Sequence, residues 1–394
     1  MGKHEASEQM LGYVYQIRYA LYMILSAQDD KSQICIEKFD DISIGSCEIP
    51  EIMAQLKHHT TVKGDLSDAG ADLWRTLKVW IDYIESDYKL LEKTKFLIIT
   101  TSMATPNSIA WYLRFDDNRN KKLANIRLHE IAENSTNKAQ KAYYEAFLKL
   151  SNEHIDKLLS KIVILDLEVN VEDIEQKIRE EIRYSCLPKY ENAVFERIEG
   201  WWLKQSIQAL LSEEPVFTNQ SQVRTKLVSL GQEYTEDNLP IDIEEIEDIS
   251  IESLSEKDKV FFEQLKLINM RSARMQFAIR DYYKAYKQRS NWIRDELIYV
   301  NELDVYEKRL ISEWEYSFAE MQEFLEDYGD TITEKVKVSN GNDLFKFVQG
   351  KDLRIRDRCS EPFVMRGSYH ILSNQLKVGW HTDFFERLKY LLGN

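Results

Sequence analysis

What most constrains this chain is a run of strand-like segments confined to its first hundred residues and bracketed by helices. Residues 8–27 carry Leu11, Val14, Tyr15, Tyr19, Tyr22, Met23 and Leu25 at spacings that mix three and four, the repeat of an amphipathic helix. The β-branched and aromatic runs QICIEKF (33–39), residues 40–44 and IMAQLKH (52–58) follow, the last after a turn-like stretch at 45–50. A second helix is predicted over 69–91, with Leu73, Trp74, Leu77, Trp80, Ile81 and Ile84 on one face and Asp68 near its start, where a carboxylate suits the helix dipole. KFLIITT (95–101) is apolar throughout and reads as a strand buried on both faces. The predicted order is αβββαβ.

Past residue 105 strand signals thin out. Residues 107–113, 137–150 and 153–159 read as helices, IVILDLEV (162–169) as a returning strand, 171–186 as a helix ended by Leu187-Pro188, and 194–211 as a helix holding Trp201 and Trp202. Residues 241–256 contain seven acids and no Lys or Arg, which marks a boundary or an exposed edge. Residues 257–328 read as long helices, and 336–394 as a short mixed tail. The expected domains are 1–210 (core 1–105 plus a helical extension), an acidic linker or edge at 211–256, and a helical oligomerisation and partner-binding domain at 257–394. Only 13 Gly and 6 Pro in 394 residues, against 21 Tyr, 16 Phe and 8 Trp, argue against an all-β fold. No apolar run approaches the roughly 20 residues of a membrane span, and the N-terminus lacks a signal core, so the expectation is a soluble, cytoplasmic protein. Four scattered cysteines, Cys35, Cys47, Cys186 and Cys359, form no CxxC pair, against both a disulfide framework and structural zinc. The net charge of −15 has the wrong sign for a surface that coats nucleic acid, so any DNA contact is local.

The chemistry-bearing residues are Glu37, Asp40 and Asp41 at the end of one strand and Gln55-Leu56-Lys57 in the next. Strand alternation sends Gln55 and Lys57 to one face. Hydrolysis of a phosphodiester uses oxygen ligands for Mg²⁺ and a cation against developing charge, and an acid, an amide and an amine supply them. Glu37 and Asp41 share parity but lie roughly 13 Å apart in a straight strand, so both reach one ion only if the chain turns near Asp40. Asp41, Gln55 and Lys57 therefore rank first and Glu37 second, with Asp40 the alternative to Asp41. The plain reading of Gln55 and Lys57 is an edge strand guarded by Lys.

This arrangement resembles the PD-(D/E)xK restriction-endonuclease superfamily, with Asp41 as the acid and Gln55-Leu56-Lys57 as the (E/D/Q)xK triplet. GYVYQIRYAL (12–21), IEKFDDI (36–42), QLKHH (55–59) and DLWRTLKVW (72–80) look like the double-stranded-DNA endonuclease domain of CD-NTase-associated anti-phage effectors. The resemblance implies an α/β restriction-endonuclease-like N-terminal domain followed by a mostly α-helical region, and Mg²⁺ (or Mn²⁺) held by Asp41, Gln55 and Glu37. Gln in place of an acid weakens cation binding, which suits an enzyme awaiting activation and equally a degenerate relative. The same resemblance turns Tyr15 and Gln16 toward the site, the alternative being helix packing. Gln16, His58 and His59 are candidate DNA contacts, the bland reading of the histidines being partly buried polar side chains.

A basic stretch at 266–294 holds eight Lys or Arg against the single acid Asp281, with Met275, Ile279, Tyr282, Tyr286 and Ile293 as an apolar stripe and Arg280, Lys284, Lys287 and Arg294 beside one another. It fits phosphates or, equally, the acidic 241–256 segment. The tail LKVGWHTDF (376–384) resembles the GWHPDF-like ending of the C-terminal domain of ABC three-component (Lamassu) effectors, with Thr382 where Pro is frequent; Trp380 and His381 are expected to pack. Together these resemblances imply a metal-dependent DNA endonuclease effector of a Lamassu-like anti-phage system. Its implied partners are double-stranded DNA, a DNA-sensing SMC-like ABC ATPase that releases or clusters it, and a small third subunit. Activity as a homo-oligomer follows because one site cuts one strand. The alternatives are a catalytically decayed helical adaptor that binds the ATPase, and an RNA-directed nuclease using the same residues.

Overall fold

The computed structural model describes residues 3–38, 40–45, 49–57, 67–243, 259–327, 329 and 332–392. The chain divides into two compact units, Met1–Gln232 and Glu233–Asn394.

In the first unit α1 (Lys3–Leu25) leads into β1 (Gln33–Ile36), β2 (Ile42–Gly45) and β3 (Pro50–Lys57), then α2 (Ala71–Ser86), the one-turn α3 (Leu90–Lys93) and β4 (Lys95–Thr100). Helices α4 (Ile109–Tyr112), α5 (Lys121–Asn134), α6 (Lys141–Lys149) and α7 (Asn152–Lys161) precede β5 (Ile162–Leu165). The chain continues through α8 (Val171–Ile182), α9 (Glu191–Leu211), β6 (Thr218–Asn219) and α10 (Gln220–Glu233). Among the described residues the sheet has the order β5-β4-β3-β2-β1-β6. Direct connections make β1, β2 and β3 successively antiparallel, whereas the α2 crossover and then the α4–α7 crossover return the chain parallel, as β4 to β3 and β5 to β4. Between β2 and β3, Gly45 adopts φ +120°, and a Cβ there would lie 2.6 Å from the Glu51 amide nitrogen.

Strand parity assigns the core. Met53, Phe96, Ile98, Ile162 and Ile164 join one cluster with the apolar stripe of α2 and with α5–α7, where Trp74 meets Tyr144 and Phe147 edge-on at 4.7 and 5.8 Å between ring centres. Ile34, Ile36, Ile42, Ala54 and Leu56 take the other parity and are buried too, with α1 packed on β1 and against α8 and α9. The predicted αβββαβ order is observed, with α3 interposed because the helix read over 69–91 stops at Asp87, whose backbone is extended. Asp68 does not serve the dipole of α2; its carboxylate accepts the Ile109 N–H and pairs with Arg127 at 3.0 Å. Helix α5 escapes the sequence reading because only Ala124, Leu128 and Ala132 of it are buried, a thin stripe in a polar segment. The two-residue β6, invisible to periodicity, pairs with β1 and carries the first unit to Gln232 rather than 210.

Among the described residues the α-helices of the second unit are α11 (Lys259–Leu267), α12 (Ser272–Arg294), α13 (Glu302–Glu326), α14 (Glu334–Gln349), α15 (Pro362–Asn374) and α16 (Phe384–Leu388), so the tail read as mixed is mostly helical. Along α12 the buried line is Met275, Ala278, Ile279, Tyr282, Ala285, Gln288 and Trp292; Tyr286 and Ile293, assigned to the apolar stripe from sequence, are 58% and 60% exposed. A line of three- and four-residue steps from Tyr282 passes through Ala285 and Gln288, about a third of a turn away from Tyr286. Residues 244–256 of the acidic segment lie outside the described residues; the preceding chain is fixed by Gln288, which donates to the Pro240 carbonyl and accepts from the Asp242 amide. Cys35, Cys186 and Cys359 are free thiols, and no helix among the described residues is long and apolar enough to cross a membrane.

His370 of α15 is buried between the rings of Phe261 and Phe345, and burial pushes its pKa down to about 3. Between that value and the ordinary 6.5 the unfolded chain binds a proton that the native imidazole refuses, so acidification through this window removes stability. The chain is expected to lose more stability between pH 7 and pH 5 than His370→Gln does in denaturant melts. Parallel pH profiles would show that His370 titrates normally.

Candidate active site

The site is assembled at the hairpin between β1 and β2 and the carboxyl end of β3. The registers Ile36↔Ile42 and Ile42↔Ala54 extend to place Glu37 opposite Asp41, and Asp41 opposite Gln55. The chain does turn at this point: Glu37 takes a left-handed φ of +60°, and its amide donates to the Asp41 carbonyl at 3.1 Å. Glu37, Asp40 and Asp41 thus form the turn between two strands rather than the end of one. Neighbouring strands lie about 5 Å apart, which replaces the 13 Å of a straight strand.

Continuing the β2–β3 ladder would set Leu56 opposite Asp40. The chain leaves the sheet there instead, and the Asp41 carboxylate takes the freed Leu56 N–H at 2.7 Å. The Gln55 side chain and the Lys57 ammonium lie close enough to that carboxylate to favour its charged form. Burial pushes Asp41 above the ordinary carboxylate range, Glu37 adds to the rise, and Leu56, Lys57 and Gln55 oppose it. Asp41, Gln55 and Lys57 therefore converge, each half-buried.

Asp40 points elsewhere. It accepts the indole N–H of Trp80, and burial lifts its pKa to about 7 despite that bond. Tyr83, one turn further along α2, donates to the Lys38 carbonyl at 3.1 Å. From α1, the Gln16 amide donates both to Glu37 Oε1 and to the Asp41 carbonyl, each at 2.8 Å. The turn is thereby clamped by two helices. Gln16 is only 6% exposed with both amide hydrogens committed, so it positions the turn and is not available as a DNA contact. Tyr15 is fully buried beside Glu168. Sequence reasoning missed Trp80 and Tyr83 as site residues, reading Trp80 only as core; the available signal was that a buried indole N–H must find an acceptor.

His58 and His59 lie outside the described residues. In the second unit Arg280 and Lys287 are exposed, whereas Lys284 is half-buried with its ammonium over the Phe363 ring at 5.6 Å. Among the described residues no group of three His, Cys, Asp or Glu is arranged to hold a metal ion. The candidate set is of another kind, two carboxylates and an amide. Those donors fit Mg²⁺, which takes oxygen ligands and commonly only one or two protein carboxylates, and a cation would relieve the repulsion that Glu37 exerts on buried Asp41.

The C-terminal GWHTDF segment is a folded turn. Trp380 and His381 are fully buried, as expected of packing residues; Trp314 donates to the Gly379 carbonyl at 2.8 Å, and Gln264 donates to the Ser373 and Val378 carbonyls and accepts from the Trp380 amide. Residues 261–388, which contain all of these groups, match CTD7, the C-terminal domain 7 of the ABC-three component (ABC-3C) systems. The second unit thus carries a C-terminal domain of the ABC-3C type. CTD7 accounts for most of the second unit, from the first turn of α11 to the end of α16.

No curated protein matches the chain. Among solved structures it is similar to the Acinetobacter baumannii Cap4 SAVED/CARF-domain containing receptor with the cyclic trinucleotide 3'3'3'-cAAA, at 14% identity and TM-score 0.28, over 66% of this chain and 61% of that one. The Moraxella osloensis Cap4 SAVED/CARF-domain containing receptor gives 12% identity and TM-score 0.32, over 71% and 68%. The chain therefore spans less than two thirds of the first of these receptors, and superpositions this loose assign neither fold nor ligand to it.

Proposed function

We propose that the first unit is a restriction-endonuclease-like, metal-dependent DNA endonuclease and the effector of its ABC-3C system. The observation that carries this reading is the convergence of Asp41, Gln55 and Lys57 at the carboxyl end of β3, where Asp41 is within reach of both other groups. Lys57 stabilises the negative charge that builds on the phosphate, and Asp41, fixed by Leu56 N–H, orients the attacking water. Glu37, held by Gln16, and the amide oxygen of Gln55 complete an oxygen-rich pocket with Asp41. A divalent ion, Mg²⁺ or Mn²⁺, in that pocket supplies Lewis-acid stabilisation of the scissile phosphate and a lowered pKa for water.

Double-stranded DNA is the proposed substrate, and an SMC-like ABC ATPase with a small third subunit the proposed partners. One site cuts one strand, so clustering two or more copies raises the local concentration of sites on a duplex and pools the basic side chains of a chain whose net charge is −15. Supercoiled plasmid incubated with the purified chain is expected to be nicked in Mg²⁺ or Mn²⁺, more at high protein concentration, and to stay intact in EDTA. A plasmid untouched at every concentration, including with the assembled complex, would remove the reading. A decayed adaptor is favoured by one feature: the Gln16 amide and the Leu56 N–H already donate to the Glu37 and Asp41 carboxylates. That reading predicts no metal-dependent cutting in any state of assembly, and an excess of RNA that suppresses nicking would mark the RNA-directed alternative.

A further inference from the structure

We infer that the groove between α13 and α14 receives a basic, amphipathic helix of a partner subunit. The two helices pack against each other and enclose an open trough of about 260 Å³. Its residues repeat at one spacing on both sides: Glu320, Met321 and Phe324 on α13, Asp343, Leu344 and Phe347 on α14. Met321 and Leu344 form the floor, 6% and 5% exposed, whereas the walls Phe324 and Phe347 remain 46% and 57% exposed. A trough lined in matching helical steps accepts a third helix with apolar side chains at i, i+3 or i+4, and i+7.

Charge decides which helix. From 312 to 326 the chain carries five acids and no Lys or Arg. On the rim, Asp343 is paired with Lys346 at 3.2 Å, but Glu320 has no ion-pair partner among the described residues. A second copy docking through the same groove would set acidic rim against acidic rim, and a nucleic acid would be repelled. A helix with Lys or Arg flanking its apolar stripe satisfies both the rings and the rim. The groove lies within CTD7, a domain of a multi-subunit system, and the inference is independent of the nuclease reading.

The test uses the full chain and a labelled helical peptide of about 18 residues, with Leu along one stripe and Lys beside it, followed by fluorescence anisotropy. The Lys peptide is expected to bind, more weakly as salt rises, and a counterpart with Glu for every Lys is not. The double substitution Phe324→Ala with Phe347→Ala is expected to weaken binding about tenfold or more with an unchanged melting temperature, and Glu320→Lys to weaken it and flatten the salt dependence. In the complex purified with the other subunits of the system, the double variant is expected to lose one of them. Equal binding of the Lys and Glu peptides, or an intact complex with the double variant, overturns the inference, as does dimerisation of the wild-type chain that the double variant abolishes.

Discussion

Lys57→Ala is expected to cut metal-dependent plasmid nicking by about 10²–10³-fold, the cost typical of removing one group aimed at developing charge, while leaving the melting temperature and the oligomer unchanged. Lys57 ends β3, with its neighbour Leu56 buried and its own side chain only half-buried, so truncating it removes little packing. Its loss also withdraws the charge that opposes the raised pKa of Asp41. Asp41→Ala is expected to abolish cutting too, but it additionally frees the Leu56 N–H, so Lys57→Ala is the cleaner variant. Equal nicking by wild type and Lys57→Ala would remove Lys57 from the chemistry, and loss of assembly in either variant would make the residue structural.

The largest expected effect on stability comes from one methyl group. A Cβ at Gly367 of α15 would lie 2.1 Å from the Asp281 carbonyl oxygen and 2.4 Å from the Ala285 Cβ of α12. Both are anchored to a helix backbone and cannot rotate aside, so the helices must separate along their whole contact. Gly367→Ala is expected to destabilise the second unit by about 3 kcal/mol, at the upper end for overpacking, lowering its thermal transition by roughly 6–12 °C. Gly200→Ala is the control of opposite sign. It lies inside α9, a Cβ there meets nothing within 4 Å, and Ala is better than Gly in a helix by about 1 kcal/mol. Calorimetry of the two variants distinguishes close helix approach from helix propensity; a Gly367→Ala transition at or above the wild type would show that α12 and α15 are free to part.

Some of the site was legible residue by residue. Alternation was enough to send Gln55 and Lys57 the same way, because the side-chain period of a strand is two wherever the strand is regular. It failed at Glu37, where regularity ends: a left-handed residue and a five-residue turn bring Glu37 beside Asp41, and no propensity marks a Glu for that conformation. The sequence ranks Asp41 ahead of Asp40 but leaves Asp40 as its alternative. They separate in space because one meets the indole of Trp80, forty residues away, and the other meets the Leu56 amide. For Gln16 the sequence offers a side chain facing the site or, equally, a surface amide on a packed helix, and it becomes a clamp only because α1 packs over the hairpin.

The sequence by itself determined the αβββαβ order, the burial of β4 on both faces and the helical character of the second unit as far as residue 328, since these rest on residue patterns that each segment carries locally. Tertiary structure alone decided the partners: the two-residue β6 closing onto β1, Asp68 serving α4 and α5 instead of α2, and the carboxylates of the turn divided between two helices and a strand. Such pairings depend on which buried hydrogen-bonding groups lack a local partner, and that is settled only when distant segments meet.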